Sequence, residues 1–314
     1  MSKESFENKR VLITGGFGFI GSHLVTRLLQ EKAQVAVLVR ETSNPWRVND
    51  LLKDIRVFTA NIQDTMSVLN VVLEYSPDYI FHLAAYGVNS SQTSFKDALQ
   101  INVLGTVNIV NAAKEADCKK MINIGSSSEY GDKDTPIHEG MALAPVDIYG
   151  STKAAATLIS HQIAKENSTP IVTLRPFGVF GEMEDTHKLF GYIIKSLVSD
   201  QEVKLTSCEQ FRDYCYVGNL IDGMVLAALE PSVKNEIFNI GSGQAFPLKH
   251  FVALIFNNIQ TYQKPQYGAI ADRINERNCP LPDISKIRKR LNWKPAITLE
   301  EGIIKTINWY KQNQ

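Results

Sequence analysis

The chain has 314 residues, of which 44% are hydrophobic, so it can bury a core large enough for one big domain or two smaller ones. Its 33 basic and 33 acidic residues leave no net charge, which argues against a general nucleic-acid or membrane-surface binder, because both need a cationic face. No apolar run approaches the ~18 residues of a membrane-spanning helix, and the polar start of the chain is unlike a signal peptide, so we expect a cytoplasmic protein. The six histidines and four cysteines show no ligand spacing, so we expect no metal site.

Short apolar strands alternate with helical patterns through the first half of the chain. The strands are predicted at residues 11–14, 35–39, 57–60, 79–83, 121–125 and 171–175. Helical patterns between them include residues 21–31, 102–116 and 149–167. Apolar strands that alternate with helices imply a parallel sheet covered on both faces, and right-handed crossovers make it a doubly wound α/β (Rossmann) fold.

The pattern loosens after Arg175, where loops lengthen and prolines recur. We therefore predict a dinucleotide-binding domain over residues 1–175 and a smaller, mixed α/β lobe over residues 176–314 that mainly binds substrate. Part of residues 214–242 is expected to pack back on the first domain. Because no Gly/Ser linker separates the halves, a cleft between two tightly packed lobes is expected.

The segment that follows the first predicted strand is rich in glycine and leads into a helix. Its glycines have G-x-x-G-x-x-G spacing, which allows a tight turn and lets a pyrophosphate approach the main-chain N–H groups. The positive end of the helix dipole points at the same phosphate. The sequence therefore predicts a dinucleotide site. The loop residues assigned to it are Gly15, Phe17, Gly18, Phe19, Ile20 and Gly21.

The residue after the second predicted strand bears on which dinucleotide binds. An NAD enzyme usually has an acidic residue ~20 positions beyond the glycines, where it accepts a hydrogen bond from the ribose 2′-OH. This chain has Arg40, whose guanidinium suits the 2′-phosphate of NADP(H). The neighbouring Glu41 can itself accept from a ribose hydroxyl, so NADP(H) is favoured and NAD(H) stays open.

Tyr149 and Lys153 form a Y-x-x-x-K pair at the start of a predicted helix. A separation of four residues places the phenol and the ammonium on one helical face. We expect the ammonium to lower the pKa of the phenol, which suits proton transfer. A predicted strand upstream ends in three serines, Ser126, Ser127 and Ser128.

These motifs, in this order, resemble the nucleotide-sugar epimerases, dehydratases and 4-keto reductases of the extended short-chain dehydrogenase/reductase family. The resemblance covers essentially the whole chain. Its further segments are residues 82–85, 102–106, 129–131, 175–181, 211–217, 283–286 and 291–295.

The resemblance implies roles for individual side chains. In this family a hydroxyl beside the catalytic tyrosine, here Tyr149, polarises the reacting oxygen. Counting back without a gap from residues 130–131 assigns this role to Ser126. Ser127 is the alternative if the turn is one residue shorter. Lys153 is expected to hold the nicotinamide ribose. The further cofactor contacts are then Asn61, Ile62, Leu83, Ala84, Ala85, Asn102, Pro176, Phe177 and Val179, together with Tyr149 and Lys153.

The same resemblance places the substrate. Arg212 and Arg273 are expected to reach the diphosphate of a nucleotide-diphosphate sugar, although either can equally be an ordinary surface arginine. Ser127 and Ser128 are expected near the sugar. The family also implies a homodimer formed by the helices at residues 102–116 and 149–167.

The leading hypothesis is an NADP(H)-dependent 4-keto reductase with Ser126, Tyr149 and Lys153 as its catalytic residues. A 4,6-dehydratase needs an acidic residue next to the catalytic hydroxyl. In the ungapped count that place is occupied by Ser127 and Ser128, which are not acids, although a shift of one residue places Glu129 there. The alternatives are an NAD-dependent 4-epimerase, the dehydratase, and a dinucleotide-binding sensor without catalysis.

Overall fold

The computed structural model describes residues 4–89, 91–272 and 281–313. The strands in these residues are β1 (Arg10–Thr14), β2 (Gln34–Val39), β3 (Arg56–Thr59), β4 (Tyr79–His82), β5 (Lys120–Ile124), β6 (Ile171–Pro176), β7 (Gly178–Phe180), β8 (Phe211–Tyr216), β9 (Glu236–Ile240) and β10 (Ala245–Pro247).

Helices connect most of these strands. They are α1 (Phe19–Gln30), α2 (Thr65–Tyr75), α3 (Phe95–Ala98), α4 (Gly105–Glu115), α5 (Ile148–Asn167), α6 (Leu189–Val198), α7 (Val217–Leu229), α8 (Leu248–Asn258), α9 (Ser285–Leu291) and α10 (Leu299–Gln312). Short 3₁₀ segments occur at Trp46–Asp54 and Ser127–Glu129, and a π-helical segment at Leu99–Leu104 leads directly into α4.

Seven strands form one parallel sheet in the order β3-β2-β1-β4-β5-β6-β9. The prediction of a doubly wound parallel sheet is confirmed, and the six predicted strands agree with the observed ones to within one residue at each end. A second, three-stranded sheet has the order β10-β8-β7, with β10 antiparallel and β7 parallel to β8. The smaller mixed lobe is therefore confirmed too, although β9 from this part of the chain belongs to the main sheet.

Alternate side chains of the strands enter two separate cores. Val11 and Ile13 of β1 belong to one hydrophobic cluster, which includes Leu24 and Leu28 of α1. The intervening Leu12 belongs to a second cluster on the other face, formed mainly with α2 and α4. This alternation is why the central strands of the main sheet, such as β2, β4 and β5, are buried along almost their whole length. No helix within the described ranges is long and apolar enough to span a membrane.

The strand order reverses between β1 and β4, and this reversal positions the site. In an open α/β sheet, ligands bind outside the carboxyl ends of the strands at such a switch point. The glycine loop follows β1 and residues 83–85 follow β4, so the two lie side by side there. Helix α1 begins at Phe19 rather than near Gly21, because Gly18 is its N-cap.

Candidate active site

A cleft of about 1030 Å³ lies at the carboxyl edge of the sheet, between the main sheet and the smaller lobe. Its volume reaches the upper end of the usual range for ligand sites, which is roughly 300–1,000 Å³. Most of the residues proposed from the sequence line this one cleft. They are Gly15, Phe17, Gly18, Phe19, Ile20, Gly21, Arg40, Asn61, Ile62, Leu83, Ala84, Ala85, Ser126, Ser127, Ser128, Tyr149, Lys153, Pro176, Phe177, Val179 and Arg212.

Two proposed residues are not among them. Asn102 is buried behind the wall of the cleft, where its side-chain amide donates to Tyr86 O and to Thr152 Oγ1 (both 2.9 Å) and its Oδ1 accepts from Tyr86 N at 2.7 Å. It thus holds the loop after β4 against α5. Arg273 lies outside the described residues.

The glycine loop is packed too tightly for larger residues. Gly15 has φ +72°, and a Cβ there would lie 2.8 Å from Ala84 N. A Cβ on Gly21 would lie 2.2 Å from Gly15 O. Helix α1 begins at this loop without a side-chain cap or an acidic residue in its first turn, so its positive end is not neutralised by its own residues. Such a cradle fits the pyrophosphate of a nicotinamide dinucleotide.

Arg40 lines the cleft at the end of β2, and its side chain is exposed. A tight turn sets its backbone, with Arg40 N donating to Ser43 Oγ at 3.1 Å and Ser43 N donating to Arg40 O at 2.9 Å. Glu41 is exposed and does not line the cleft. The residues between 40 and 44 that line the cleft therefore offer a guanidinium, hydroxyls and an amide, but no carboxylate.

Arg47 lies near the same corner but has a structural role. Its guanidinium donates to Asp185 Oδ1 at 2.6 Å and to Met183 O at 2.9 Å, and it stacks on Trp46 with 4.3 Å between the guanidinium carbon and the ring centroid. These contacts tie the 3₁₀ segment after β2 to the smaller lobe.

Ser126, Tyr149 and Lys153 meet at the carboxyl end of β5. Ser126 shares a side-chain hydrogen bond with Tyr149, so of the rival serines it is Ser126 whose hydroxyl stands beside the phenol. Lys153, one turn further along α5, is 3% exposed. Asp147 caps this helix by accepting from Gly150 N at 2.7 Å, which sets the position of its first turn.

Burial determines the pKa values of Tyr149 and Lys153. Desolvation raises the pKa of Tyr149 to about 12, and the hydrogen bond with Ser126 acts in the opposite direction. The expectation that Lys153 lowers this pKa is therefore wrong for the protein alone, because desolvation dominates. Burial also lowers the pKa of Lys153 to about 8, against the charge of Glu129. In the protein alone, the Tyr149 phenol therefore keeps its proton at neutral pH.

Glu129 is not available as the acid of a dehydratase. Its side chain is fully buried and pairs with Arg175, with 2.8 Å between Oε2 and Nη2. Burial raises the pKa of Glu129, and the guanidinium opposes that rise. It does not line the cleft, whereas the half-buried Ser127 and Ser128 do. Among the described residues, no group of three His, Cys, Asp or Glu side chains could hold a metal ion.

The smaller lobe adds lining residues that the sequence analysis did not identify. Lys188, Leu189 and Tyr214 face the cleft from the same side as Arg212. Lys188 is the N-cap residue of α6, and its Nζ donates to Val88 O at 2.8 Å across the cleft opening. A single lysine before an apolar helix carries no recognisable signal, so only packing could reveal it.

Glu184 also borders the cleft, and it is buried. It is 7% exposed, the backbone N–H of Gly191 donates to it, and its Oε2 has no hydrogen-bond partner among the described residues. Burial raises the pKa of this carboxyl to about 8. Glu184 therefore holds a proton in the folded protein at neutral pH.

The chain was compared with known proteins. The sequence pattern of the family described as "NAD dependent epimerase/dehydratase family" matches residues 11–241. The chain is 30% identical to a putative UDP-glucose 4-epimerase of Methanocaldococcus jannaschii, over 96% of this chain and 99% of that protein. It is 29% identical to a UDP-glucuronate 4-epimerase of Thermodesulfobacterium geofontis, over 96% of both.

A solved structure is similar over the same length. It is a variant of a UDP-glucuronic acid 4-epimerase from Bacillus cereus in complex with UDP-4-deoxy-4-fluoro-glucuronic acid and NAD. The TM-score is 0.88 at 25% identity, over 97% of this chain and 100% of that one.

The raised pKa of Glu184 makes a prediction about stability. An unfolded glutamate loses its proton near pH 4.3 and the folded one near 8, so stability falls as the pH rises through this window. Glu184→Gln does not titrate. We expect its free energy of unfolding, relative to the parent, to rise by about 1–3 kcal/mol between pH 5 and pH 9. Urea unfolding at both pH values measures this.

The matched control is Glu202→Gln, which replaces an exposed glutamate of the same lobe. Its difference from the parent should not change with pH in this window. A Glu184→Gln difference that is the same at pH 5 and pH 9 would contradict the assigned pKa.

Proposed function

The chain belongs to the NAD dependent epimerase/dehydratase family, and we propose that it interconverts the C4 epimers of a nucleotide-diphosphate sugar. The observation that carries this proposal is the Ser126–Tyr149 hydrogen bond beside Lys153, in a cleft where β5 ends in hydroxyl groups rather than carboxylates. Such a site can move one proton on and off one oxygen. It lacks the acid that a dehydratase needs at this point, because Glu129 is held by Arg175.

The relatives support an epimerase over a 4-keto reductase. The named 4-epimerases match this chain almost from end to end, and the similar solved structure contains NAD. We further propose that residues 1–175 hold the dinucleotide and that residues 176–314 mainly hold the sugar nucleotide.

The chain's own residues would act as follows. A bound nicotinamide dinucleotide supplies the hydride acceptor and donor. Tyr149 exchanges a proton with the C4 oxygen of the sugar, and Ser126 donates a hydrogen bond to the same oxygen. Lys153 holds the nicotinamide ribose and places a positive charge near the phenol. Because the hydride and the proton taken from the sugar both return to it, the reaction would leave no net change in oxidation state.

The test is whether the protein converts UDP-glucose, UDP-galactose or UDP-glucuronate without added cofactor, with the reaction monitored by proton NMR. We expect the C4 epimer to form without net production of NADH. Tyr149→Phe should lower kcat by roughly 10²- to 10⁴-fold while keeping dinucleotide binding, because it removes the proton donor and little volume. Tyr262→Phe, at a fully exposed tyrosine, is the control. Full turnover by Tyr149→Phe would exclude this mechanism.

Arg40 favours a second candidate, a 4-keto-sugar reductase that uses NADPH. An exposed guanidinium beside Ser43, on a segment (residues 40–44) whose lining residues include no carboxylate, suits a 2′-phosphate better than a 2′-hydroxyl. In a reductase, Tyr149 would protonate the C4 oxygen in one direction only, and Ser126 would donate a hydrogen bond to that oxygen. The cofactor would then enter and leave with each turnover.

Cofactor titration separates the two candidates. If Arg40 binds a 2′-phosphate, Arg40→Ala should weaken NADPH binding by about 10- to 100-fold and leave NADH binding unchanged. Lys53→Ala, on the nearby 3₁₀ segment but outside the cleft lining, is the control. Equal affinity of Arg40→Ala and parent for NADPH, together with NAD retained through purification, would leave the epimerase as the only candidate.

We also propose a homodimer. Helix α5 and the π-helical segment before α4 leave large apolar side chains uncovered: Leu158 is 60% exposed, Leu104 50% and Ile159 41%. The two segments pack against each other, so a second copy placed on the same surface would cover both.

Light scattering at micromolar concentration tests the dimer. We expect twice the mass of one chain for the parent and the mass of a single chain for Leu158→Glu, because the charge would be buried at the interface. Leu73→Glu, at an equally apolar exposed position on α2, should leave the dimer intact. A monomeric parent would remove this proposal.

A further inference from the structure

A buried ion pair lies directly behind the reacting hydroxyls. Glu129 ends the 3₁₀ turn after β5 and is fully buried, and Arg175 near the end of β6 is 2% exposed. Neither residue lines the cleft, so neither contacts a ligand there. The pair must therefore act through the residues around it.

Both oxygens of the Glu129 carboxylate are engaged. Oε1 accepts from Ser126 N at 2.8 Å and from Thr157 Oγ1 at 3.1 Å. Oε2 accepts from Arg175 Nε at 2.8 Å, and Arg175 Nη2 completes the ion pair at the same distance. Thr157 lies one helical turn beyond Lys153 on α5. One carboxylate therefore joins the end of β5, the catalytic helix and β6.

These contacts fix Ser126 from two sides. Its N–H is held by Glu129, while its Oγ accepts from Ser128 N at 3.1 Å, so that Ser126 and Glu129 form a capping box. With its backbone N–H and one lone pair engaged, the hydroxyl keeps its O–H and its second lone pair for the contact with Tyr149. The orientation of Ser126 is thus set by Glu129 rather than by the turn alone.

The Glu129 carboxylate is tightly packed against its neighbours. A Cβ on Gly125 would lie 2.5 Å from Glu129 Oε1 and 3.1 Å from Arg175 Cγ. On the far side, Arg175 Nη1 donates to Tyr130 Oη at 2.8 Å, and that hydroxyl donates to Asn239 Oδ1 at 2.7 Å. The guanidinium is therefore anchored independently of the carboxylate it holds.

A contribution to the free energy of unfolding does not by itself explain why this buried ion pair is present. Removing two charges from water costs several kcal/mol per ion, and apolar residues of similar volume often replace a buried pair without loss of stability. Holding a reacting group within a fraction of an ångström is a function that apolar residues cannot perform for a backbone N–H.

We propose that Glu129, anchored by Arg175, is a positioning residue that orients Ser126 towards the reacting oxygen beside Tyr149. The proposal rests on the proposed function, since its consequence is measured in turnover. It adds to the Ser-Tyr-Lys group a buried pair that never contacts substrate.

Glu129→Gln tests the proposal. Glutamine has one acceptor oxygen and cannot serve both Arg175 and Ser126 N; the charged guanidinium takes that oxygen, and the amide NH₂ then faces the Ser126 N–H. We expect kcat to fall roughly 10- to 100-fold with an unchanged KM for the sugar nucleotide. In a Ser126→Ala background the same change should cost less than about twofold, because both act through one hydroxyl. A full loss in that background would overturn the proposal.

Two further variants guard against a general effect on folding. Gly125→Ala keeps every charge but pushes the carboxylate away from Ser126 N, so kcat should fall here too, again with KM unchanged. Tyr130→Phe removes a hydrogen bond from the same network but leaves both carboxylate oxygens in place, and it should keep kcat within about twofold. If Tyr130→Phe loses as much kcat as Glu129→Gln, the pair has only a structural role.

Hydrogen exchange gives a readout that does not depend on the reaction. In the protein purified with its bound nucleotide, the Ser126 amide should exchange faster in Glu129→Gln and Gly125→Ala than in the parent, and at the parent rate in Tyr130→Phe. Mass spectrometry of the peptide covering residues 121–131 measures this. Unchanged exchange in all variants would overturn the positioning role. Faster exchange in Glu129→Gln and Gly125→Ala, combined with a parent protein that converts no sugar nucleotide, would instead reject the proposed function alone.

Discussion

The close approach of two backbone segments at the carboxyl edge of the sheet underlies the rest of the site. The loop after β1 and the residues after β4 are so close that a Cβ on Gly15 would lie 2.8 Å from Ala84 N. This contact is set by the parallel pairing of β1 with β4 at the point where the strand order reverses. The uncapped start of α1 then lies beside the ends of the neighbouring strands, where a dinucleotide and a second ligand can meet in one cleft.

Burial determines the pKa values of the ionisable groups at this edge of the sheet. Lys153 and Tyr149 sit in a poorly solvated position, so desolvation dominates both pKa values, and the charges that would oppose it are few. Glu129 and Arg175 form the nearest pair of full charges, and they are placed behind the reacting groups rather than among them. The result is that β5 ends at the cleft in hydroxyl groups, with the buried ion pair directly behind them.

The smaller lobe is joined to the sheet by few but specific polar contacts. Arg47 links the segment after β2 to Asp185, and Lys188 reaches across to Val88 O. Each contact crosses the mouth of the cleft, so the geometry of the substrate side depends on how the lobe is held. If residues 176–314 mainly hold the sugar nucleotide, as proposed, the identity of the sugar is decided in this region, where loops present many of the side chains.

The amino-acid sequence by itself determined the features that depend on local spacing. Strand and helix periodicity predicted the parallel sheet, glycine spacing predicted the cradle, and the four-residue separation of Tyr149 and Lys153 placed both on one face, because each follows from backbone geometry over a few residues. Only the tertiary structure showed that Ser126 rather than Ser127 meets Tyr149, that Glu129 is buried against Arg175, and that Asn102 lies behind the wall. These outcomes depend on contacts between residues far apart in the chain and on desolvation. Neither leaves a periodic signal in the sequence.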